Sequence, residues 1–334
     1  MFRATEQNDL PELVKFLTRI YRFDASDFHV DPRMLEWKYL DPRPGWQGGR
    51  SYLLESKGQI VAHCGVCPLV LRLPDGKTLD SMILLDWAAD PSAPGVGTGL
   101  YLKLMRMAPT CLAIGGAPDT RAMLPRIGFR GVGEALTYSV WLRPWQEFRC
   151  RPFTVRSPLR LVHGLARPVR KRAPESAGWD GLAVNRFDDS LAPVLNCVRR
   201  SWAFCQRTLA DLNYLLQCPH GKMQGFLLRR RGEIAGYFVL GTVDWEARLL
   251  DLMVDTEDAE DWNFAVAVVT EAAHRDTKVS RIRALSSLPV LTRALAWNGY
   301  WCQYKEPIGL YDPSAAMGQV SPVSLQLFDG DGGY

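Results

Sequence analysis

Apolar residues at Leu10, Leu13, Phe16, Leu17 and Ile20 recur at helical spacing behind Asn8 and Asp9, either of which suits an N-cap, and predict an amphipathic helix over 10–20. Met34 to Leu40 predicts a second, short helix ended by Asp41-Pro42. The period then changes. Tyr52 to Glu55, Gln59 to Cys64 and Pro68 to Leu73 predict three consecutive strands, separated in part by the turns Ser56-Lys57-Gly58 and Pro74-Asp75-Gly76-Lys77. Leu84 to Pro91 predicts a strand, Pro94 to Gly99 a glycine-rich turn, and Leu100 to Met105 a helix in immediate succession. Thr110 to Ile114 predicts the following strand, and Leu136 to Trp141 a strand that closes the first sheet.

The pattern then repeats in weaker form. Trp37 with Pro42 is echoed by Tyr214 with Pro219, each an aromatic with proline five positions later. Gly58-Gln59-Ile60 is echoed by Gly232-Glu233-Ile234, Leu85 to Asp90 by Leu250 to Asp255, and Ile127-Gly128-Phe129 by Asn298-Gly299-Tyr300. Four landmarks in common order predict two copies of one fold, and 334 residues suffice for two domains. The boundaries are expected at 1–145 and 183–315, with a linker over 146–182 and a flexible tail over 316–334.

Composition narrows the class. The net charge is only +4, so bulk nucleic-acid affinity is not expected. Arg149, Arg151, Arg156, Arg160, Arg167, Arg170, Lys171 and Arg172 are concentrated in the linker, which reads as a solvated crossing. Ser157 to Leu165 also suits a short basic amphipathic helix, so peripheral contact with an anionic membrane surface is the most the linker implies. The first ten residues lack a secretory signal, no apolar run is long enough to span a bilayer, and the eight cysteines are scattered; a cytoplasmic protein with reduced thiols is expected.

The glycine-rich turn carries the clearest chemistry. Gly95, Gly97 and Gly99 let backbone N–H groups converge, and the helix that follows adds unpaired N–H groups and the positive end of its dipole, a geometry that suits a pyrophosphate. The loop ends Gly-Thr-Gly-Leu where a P-loop needs Gly-Lys-Ser/Thr, and its regular spacing by two does not fit the dinucleotide fingerprint. Ala89-Asp90-Pro91, Gly97 and Gly99, with Met123 to Phe129 downstream, resemble the acyl-CoA loop and the Gly-Phe segment of the GNAT superfamily of N-acetyltransferases. Pro94 stands where that family usually has Arg or Gln.

The resemblance implies an α+β fold of two tandem GNAT-like domains, each a mixed, mostly antiparallel sheet flanked by helices, as in tandem GNAT members and the related FemAB-like transferases. It implies acyl-CoA held by Trp87, Ala88, Ala89, Val96, Gly97, Thr98, Gly99 and Leu100, and direct attack of a primary amine on the thioester, the acceptor being an amino sugar or a small-molecule amine. Asp86 is the expected base, with pairing to an arginine as its structural alternative. The family's acid, a tyrosine, is replaced here by Leu124; Tyr138 is the first substitute and Tyr101 the second. His63 and Trp37 are expected at the acceptor. The second copy has Asp255, Glu257, Asp258, Glu260 and Asp261 where a phosphate loop should lie, so only the first copy is expected to bind CoA. Cys64 and Cys67 form the single Cys-x-x-Cys, which falls short of a four-ligand zinc site, and no metal is expected. Two other functions compete: a FemAB-like transferase drawing its acyl group from charged tRNA, and a non-catalytic CoA-binding or scaffold protein.

Overall fold

The computed structural model describes residues 1–24, 27–150, 174–196, 200–318 and 322–330. The strands are β1 (Phe2–Ala4), β2 (Ser51–Ser56), β3 (Gln59–Arg72), β4 (Thr78–Ala89), β5 (Thr110–Ile114), β6 (Arg130–Trp141) and β7 (Trp179–Val184), followed by β8 (Ala203–Cys205), β9 (Lys222–Arg230), β10 (Glu233–Val243), β11 (Glu246–Val254), β12 (Arg281–Ser286), β13 (Trp301–Tyr311) and β14 (Val323–Ser324). The helices used below are α1 (Leu10–Tyr21), α2 (Pro32–Tyr39), α3 (Val96–Leu104), α4 (Pro118–Met123), α5 (Pro144–Cys150), α6 (Leu209–Leu215), α7 (Ala259–Arg275) and α8 (Pro289–Trp297).

The strands form one mixed sheet in the order β1-β2-β3-β4-β5-β13-β6-β12-β11-β10-β9-β7, with β8 joining β3 to β14 off this path. Read from either end, the order matches: each half lays down an edge strand, an antiparallel meander of three and a parallel fifth strand, and then exchanges its last strand with the other half. β13 pairs with β5 at Ile308↔Ile114, and β6 pairs with β12 at Ala284↔Tyr138. The expectation that Leu136 to Trp141 closes the first sheet is therefore corrected. The alternating pattern of β6 specifies a strand, but does not specify which edge receives it.

The four echoed landmarks occupy matching places. Lys57 and Gly58 between β2 and β3, and Arg231 and Gly232 between β9 and β10, all have positive φ, the requirement of a two-residue type I′ hairpin turn. Asp90 N–H donates to Val61 O, as Asp255 N–H does to Ala235 O, both at 2.8 Å. Gly128 and Gly299, at φ 97° and 90°, turn the chain so that Phe129 N–H reaches Leu124 O and Tyr300 N–H reaches Leu295 O, both at 3.0 Å. Trp37 on α2 and Tyr214 on α6 are not merely equivalent but stack on each other at 4.7 Å, and the Tyr214 hydroxyl donates to Trp37 O. Arg50 donates to both, to the Tyr214 hydroxyl at 2.8 Å and to Trp37 O at 2.9 Å.

Three further expectations change. Gln59 to Cys64 and Pro68 to Leu73 belong to one strand, β3; Pro68 is tolerated there because β2 ends opposite Gly65 and leaves that edge without a ladder partner until β8 at Leu71. The linker drawn over 146–182 gives up both ends: the helix α5 extends to 150, with Glu147 buried against Ser280 and Arg281, and Trp179 begins the edge strand β7. Ser157 to Leu165 lie outside the described residues. The tail also is no tail over 322–330, where Leu325, Leu327 and Phe328 are buried in the core.

Candidate functional site

β4 and β5 run parallel and pair only over Ser81↔Thr110, Met82↔Cys111 and Ile83↔Leu112. Beyond Ile83 they part, because β4 is bulged at Asp86 (φ 48°) and Gly115 and Gly116 turn the chain away after β5. The wedge between them is a cavity of about 400 Å³. Leu84 to Trp87 line one wall, Ala113 to Gly116 the other, and Tyr101 of α3, Thr137 of β6 and Glu306 of β13 face into it.

The glycine loop lies at the end of the same strand. Gly95 caps α3 in a left-handed conformation (φ 81°) with no side chain on the helix amides. Val96 N–H donates to Ala93 O at 3.4 Å and Gly99 N–H to Gly95 O at 2.9 Å; between them the N–H groups of Gly97 and Thr98 precede any intrahelical carbonyl. Trp87 Nε1 donates to Gly97 O at 3.0 Å and fixes this turn to β4. A Cβ on Gly97 would lie 2.7 Å from Ala89 Cβ and 3.2 Å from the Trp87 ring, whereas one on Gly99 would meet nothing within 4 Å. Gly97 is thus a packing glycine. Its replacement by a β-branched residue would push α3 off the sheet.

Asp86 sits at the bulge, held from behind. Its Oδ2 accepts from Lys38 Nζ at 2.5 Å and from the Tyr39 hydroxyl. Burial pushes the carboxyl up, but the charge and hydrogen bond of Lys38, the Tyr39 hydroxyl and His63 outweigh it and hold Asp86 well below the usual carboxylate range. A carboxylate so stabilised is a weak proton acceptor. Its geometry is that of an ion pair anchoring the bulge, with a lysine in place of the expected arginine.

His63 lies on the far side of that bulge. Its Nδ1–H donates to Asp86 O at 2.9 Å, a carbonyl that can only accept, so Nε2 is the unprotonated nitrogen facing Ser51 Oγ at 2.9 Å. His63 is fully buried, and burial pulls its pKa down to about 4. It does not line the cavity and is corrected from an acceptor residue to a support of the bulge. Trp37 is corrected likewise: it is 4 % exposed and sealed under Tyr214. Tyr138 points to the opposite face of β6 from the cavity residue Thr137, and bonds Thr292 of α8. Tyr101 does line the wedge, edge-on to Trp87 at 5.2 Å, with burial raising its hydroxyl above the usual range. Among the described residues no cluster of His, Cys, Asp and Glu is placed to hold a metal ion.

The second half has the same wedge with different contents. β11 and β12 pair from Glu246↔Arg281 to Leu249↔Ala284 and then part. Into this gap runs the segment 322–330. Gln326 accepts from Leu252 N–H and donates to Leu252 O, both at 2.9 Å, at the position equivalent to Trp87. Asp329 is bound by Arg207 at 2.6 Å, and Arg207 also holds Asp251, the equivalent of Asp86, at 3.0 Å. At the helix start Asp258 accepts from Glu260 N–H and Asp261 N–H at 2.7 and 3.3 Å, so the amides that α3 leaves free are capped in α7 by a carboxylate of the chain. The residues missed from sequence are Lys38, Glu306 and Gln326. Only the segment around Gln326 carried a signal, the apolar alternation of Val323, Leu325 and Leu327.

The sequence matches no family model and no curated protein. Solved structures do match. A GCN5-related N-acetyltransferase from Anabaena variabilis is similar over 93 % of this chain and 72 % of its own, with 11 % identity and a TM-score of 0.59. A probable N-acyltransferase from Enterococcus faecalis is similar over 93 % and 71 %, with 11 % identity and a TM-score of 0.56. The Saccharomyces cerevisiae N-myristoyltransferase, solved with bound myristoyl-CoA, is similar over 93 % and 78 %, with 12 % identity and a TM-score of 0.61. The chain therefore has the mixed α/β fold shared by these acyltransferases, a large sheet flanked by helices.

Proposed function

We propose that the protein is an acyl-CoA-dependent N-acyltransferase with a single donor site, in the first half. The observation that carries this reading is the juxtaposition of the β4–β5 wedge with the uncapped amides of Gly97 and Thr98 at the start of α3. The amides suit the pyrophosphate of CoA. The β4 backbone beyond Ile83, which has no ladder partner on the β5 side, suits the amide groups of the pantetheine arm, and the wedge receives the thioester. That solved proteins of this fold include one with bound myristoyl-CoA supports the donor class.

The reaction in this reading is direct. The acceptor nitrogen attacks the thioester carbon, the carbon–sulfur bond breaks, and the amine proton leaves. Tyr101, which lines the wedge, donates a hydrogen bond to the departing sulfur in this reading. Asp86 keeps the bulge and the adjacent Trp87 in place and is a positioning residue. Calorimetric titration of the protein with acetyl-CoA tests the reading, with one equivalent bound per chain as the expected result. Two equivalents would overturn the single site, and no binding of either acetyl-CoA or CoA would overturn the acyltransferase reading itself.

A further inference from the structure

Most of the ionisable side chains that line the wedge have a partner of their own in the protein. Asp86 is paired with Lys38 at 2.5 Å, His29 bonds Asp27 at 2.7 Å, and Arg283 pairs at 3.1 Å with Glu246, a carboxylate that Arg248 and Arg281 also hold. Glu306 also lines the cavity, and among the described residues its carboxylate has no hydrogen bond and no ion pair. Its neighbour Lys305 pairs with Glu134 on the other face of the sheet, as strand alternation requires. Room has been made for the carboxylate: a Cβ on Gly115 would lie 2.5 Å from Glu306 Oε1, and Gly115 holds φ 64°. The strand that carries Glu306, β13, comes from the second half and is inserted beside β5.

A carboxylate without a partner in a partly apolar cavity is suited to a cation. Primary amines are cations at neutral pH. We propose that Glu306 receives the ammonium group of the acceptor and takes its proton, an inference that rests on the acyltransferase reading above. The proton passes from nitrogen to a Glu306 oxygen, directly or through one water, and the freed lone pair forms the new carbon–nitrogen bond. As the carbon–sulfur bond breaks, the second nitrogen proton goes to the thiolate, and Glu306 returns its own proton to solvent. The acceptor is then an alkylammonium with a flat or apolar body, since Tyr21, Phe23 and Tyr304 flank the same cavity and Tyr21 stacks on Phe23 at 5.2 Å.

Glu306→Gln keeps the shape and removes the charge. Wild type and variant are first titrated with acetyl-CoA, then, loaded, with benzylammonium and with its neutral counterpart benzyl alcohol at neutral pH. The expected result is equal acetyl-CoA affinity, at least about tenfold weaker benzylammonium binding by the variant, and unchanged binding of the alcohol. Equal benzylammonium affinities, no benzylammonium binding by wild type, or equal loss of both probes would overturn the role of Glu306 while leaving the acyl-CoA site standing. Failure of both proteins to bind acetyl-CoA, with thermal melts unchanged, would overturn the acyltransferase reading and the proposal with it.

Discussion

The wedge of the first half and the wedge of the second are built alike and filled differently. Parting two parallel strands strips backbone N–H and C=O groups of their ladder partners, and those groups must find others. In the second half the chain supplies them: Gln326 satisfies both polar groups of Leu252, and Asp258 caps α7. In the first half neither substitute exists, because Gly95 has no side chain to cap α3 and no segment of the described chain pairs with β4 on that side. The bulge carboxylates show the same contrast. Asp86 is paired with Lys38 and its pKa is lowered; for Asp251 burial prevails and the pKa is raised, with Arg207 shared with the second carboxylate of Asp329. A device that can hold a ligand has, in its twin, been satisfied from within.

The largest effect should come from removing the cation of the filled wedge. Arg207→Met leaves Asp251 and Asp329 buried without a counter-charge and should cost about 3–5 kcal/mol in urea unfolding. Lys38→Met, the matching change in the first half, should cost less, because the Lys38 and Asp86 side chains keep 10 % and 16 % of their surface open against 5 % and 3 % for Arg207 and Asp251. Equal losses would show that the second wedge is no more tightly closed than the first.

A pH dependence separates the halves next. His63 in the first half corresponds to Tyr237 in the second, and only the histidine titrates in mild acid. Burial lowers its pKa to about 4 in the folded protein, while the unfolded chain takes the proton near 6.5. Stability from neutral His63 is therefore complete above about pH 6.5 and drains away as pH falls toward 4, by about 3 kcal/mol in all. Asp86, whose pKa is depressed, adds to this only below about pH 4, where its unfolded counterpart begins to protonate. Thermal melts between these limits should slope for wild type and flatten for His63→Asn; parallel slopes would assign the acid lability elsewhere.

Much of this was readable in the sequence. The helices expected over 10–20 and 34–40 are found at 10–21 and 32–39, whereas the helix expected from Leu100 begins four residues earlier, at Val96, inside the glycine-rich turn. Of the four repeated landmarks, two proved to be matching turns, because type I′ hairpins and left-handed helix ends favour glycine, one a pair of matching strand ends, and one a pair of aromatics on the matching helices α2 and α6. Neighbour relations were not readable. A period of two says that Tyr138 and Thr137 face opposite ways, but not that Thr137 is the one toward the wedge. An aromatic that seals the core, as Trp37 does, has the same chemistry as one that receives a substrate. The exchange of β6 and β13, which brings Glu306 into the first half's cavity, leaves no local mark because it is a choice of edge.

The smallest stability changes carry the finest test of the open wedge. Gly97→Ala places a Cβ 2.7 Å from Ala89 Cβ, a contact with nothing flexible to yield, and should destabilise by about 1–3 kcal/mol as α3 shifts. Gly99→Ala meets nothing within 4 Å and lies inside the helix, so the protein alone should gain up to about 1 kcal/mol. The two glycines thus separate fold from ligand. If the phosphates of acyl-CoA rest against this turn, acetyl-CoA affinity should fall in Gly99→Ala although the protein melts no lower, since the new methyl group can then collide only with the guest. Unchanged affinity would move the phosphates away from Gly99 and leave the amides of Gly97 and Thr98 without the role that distinguishes this half from its carboxylate-capped twin.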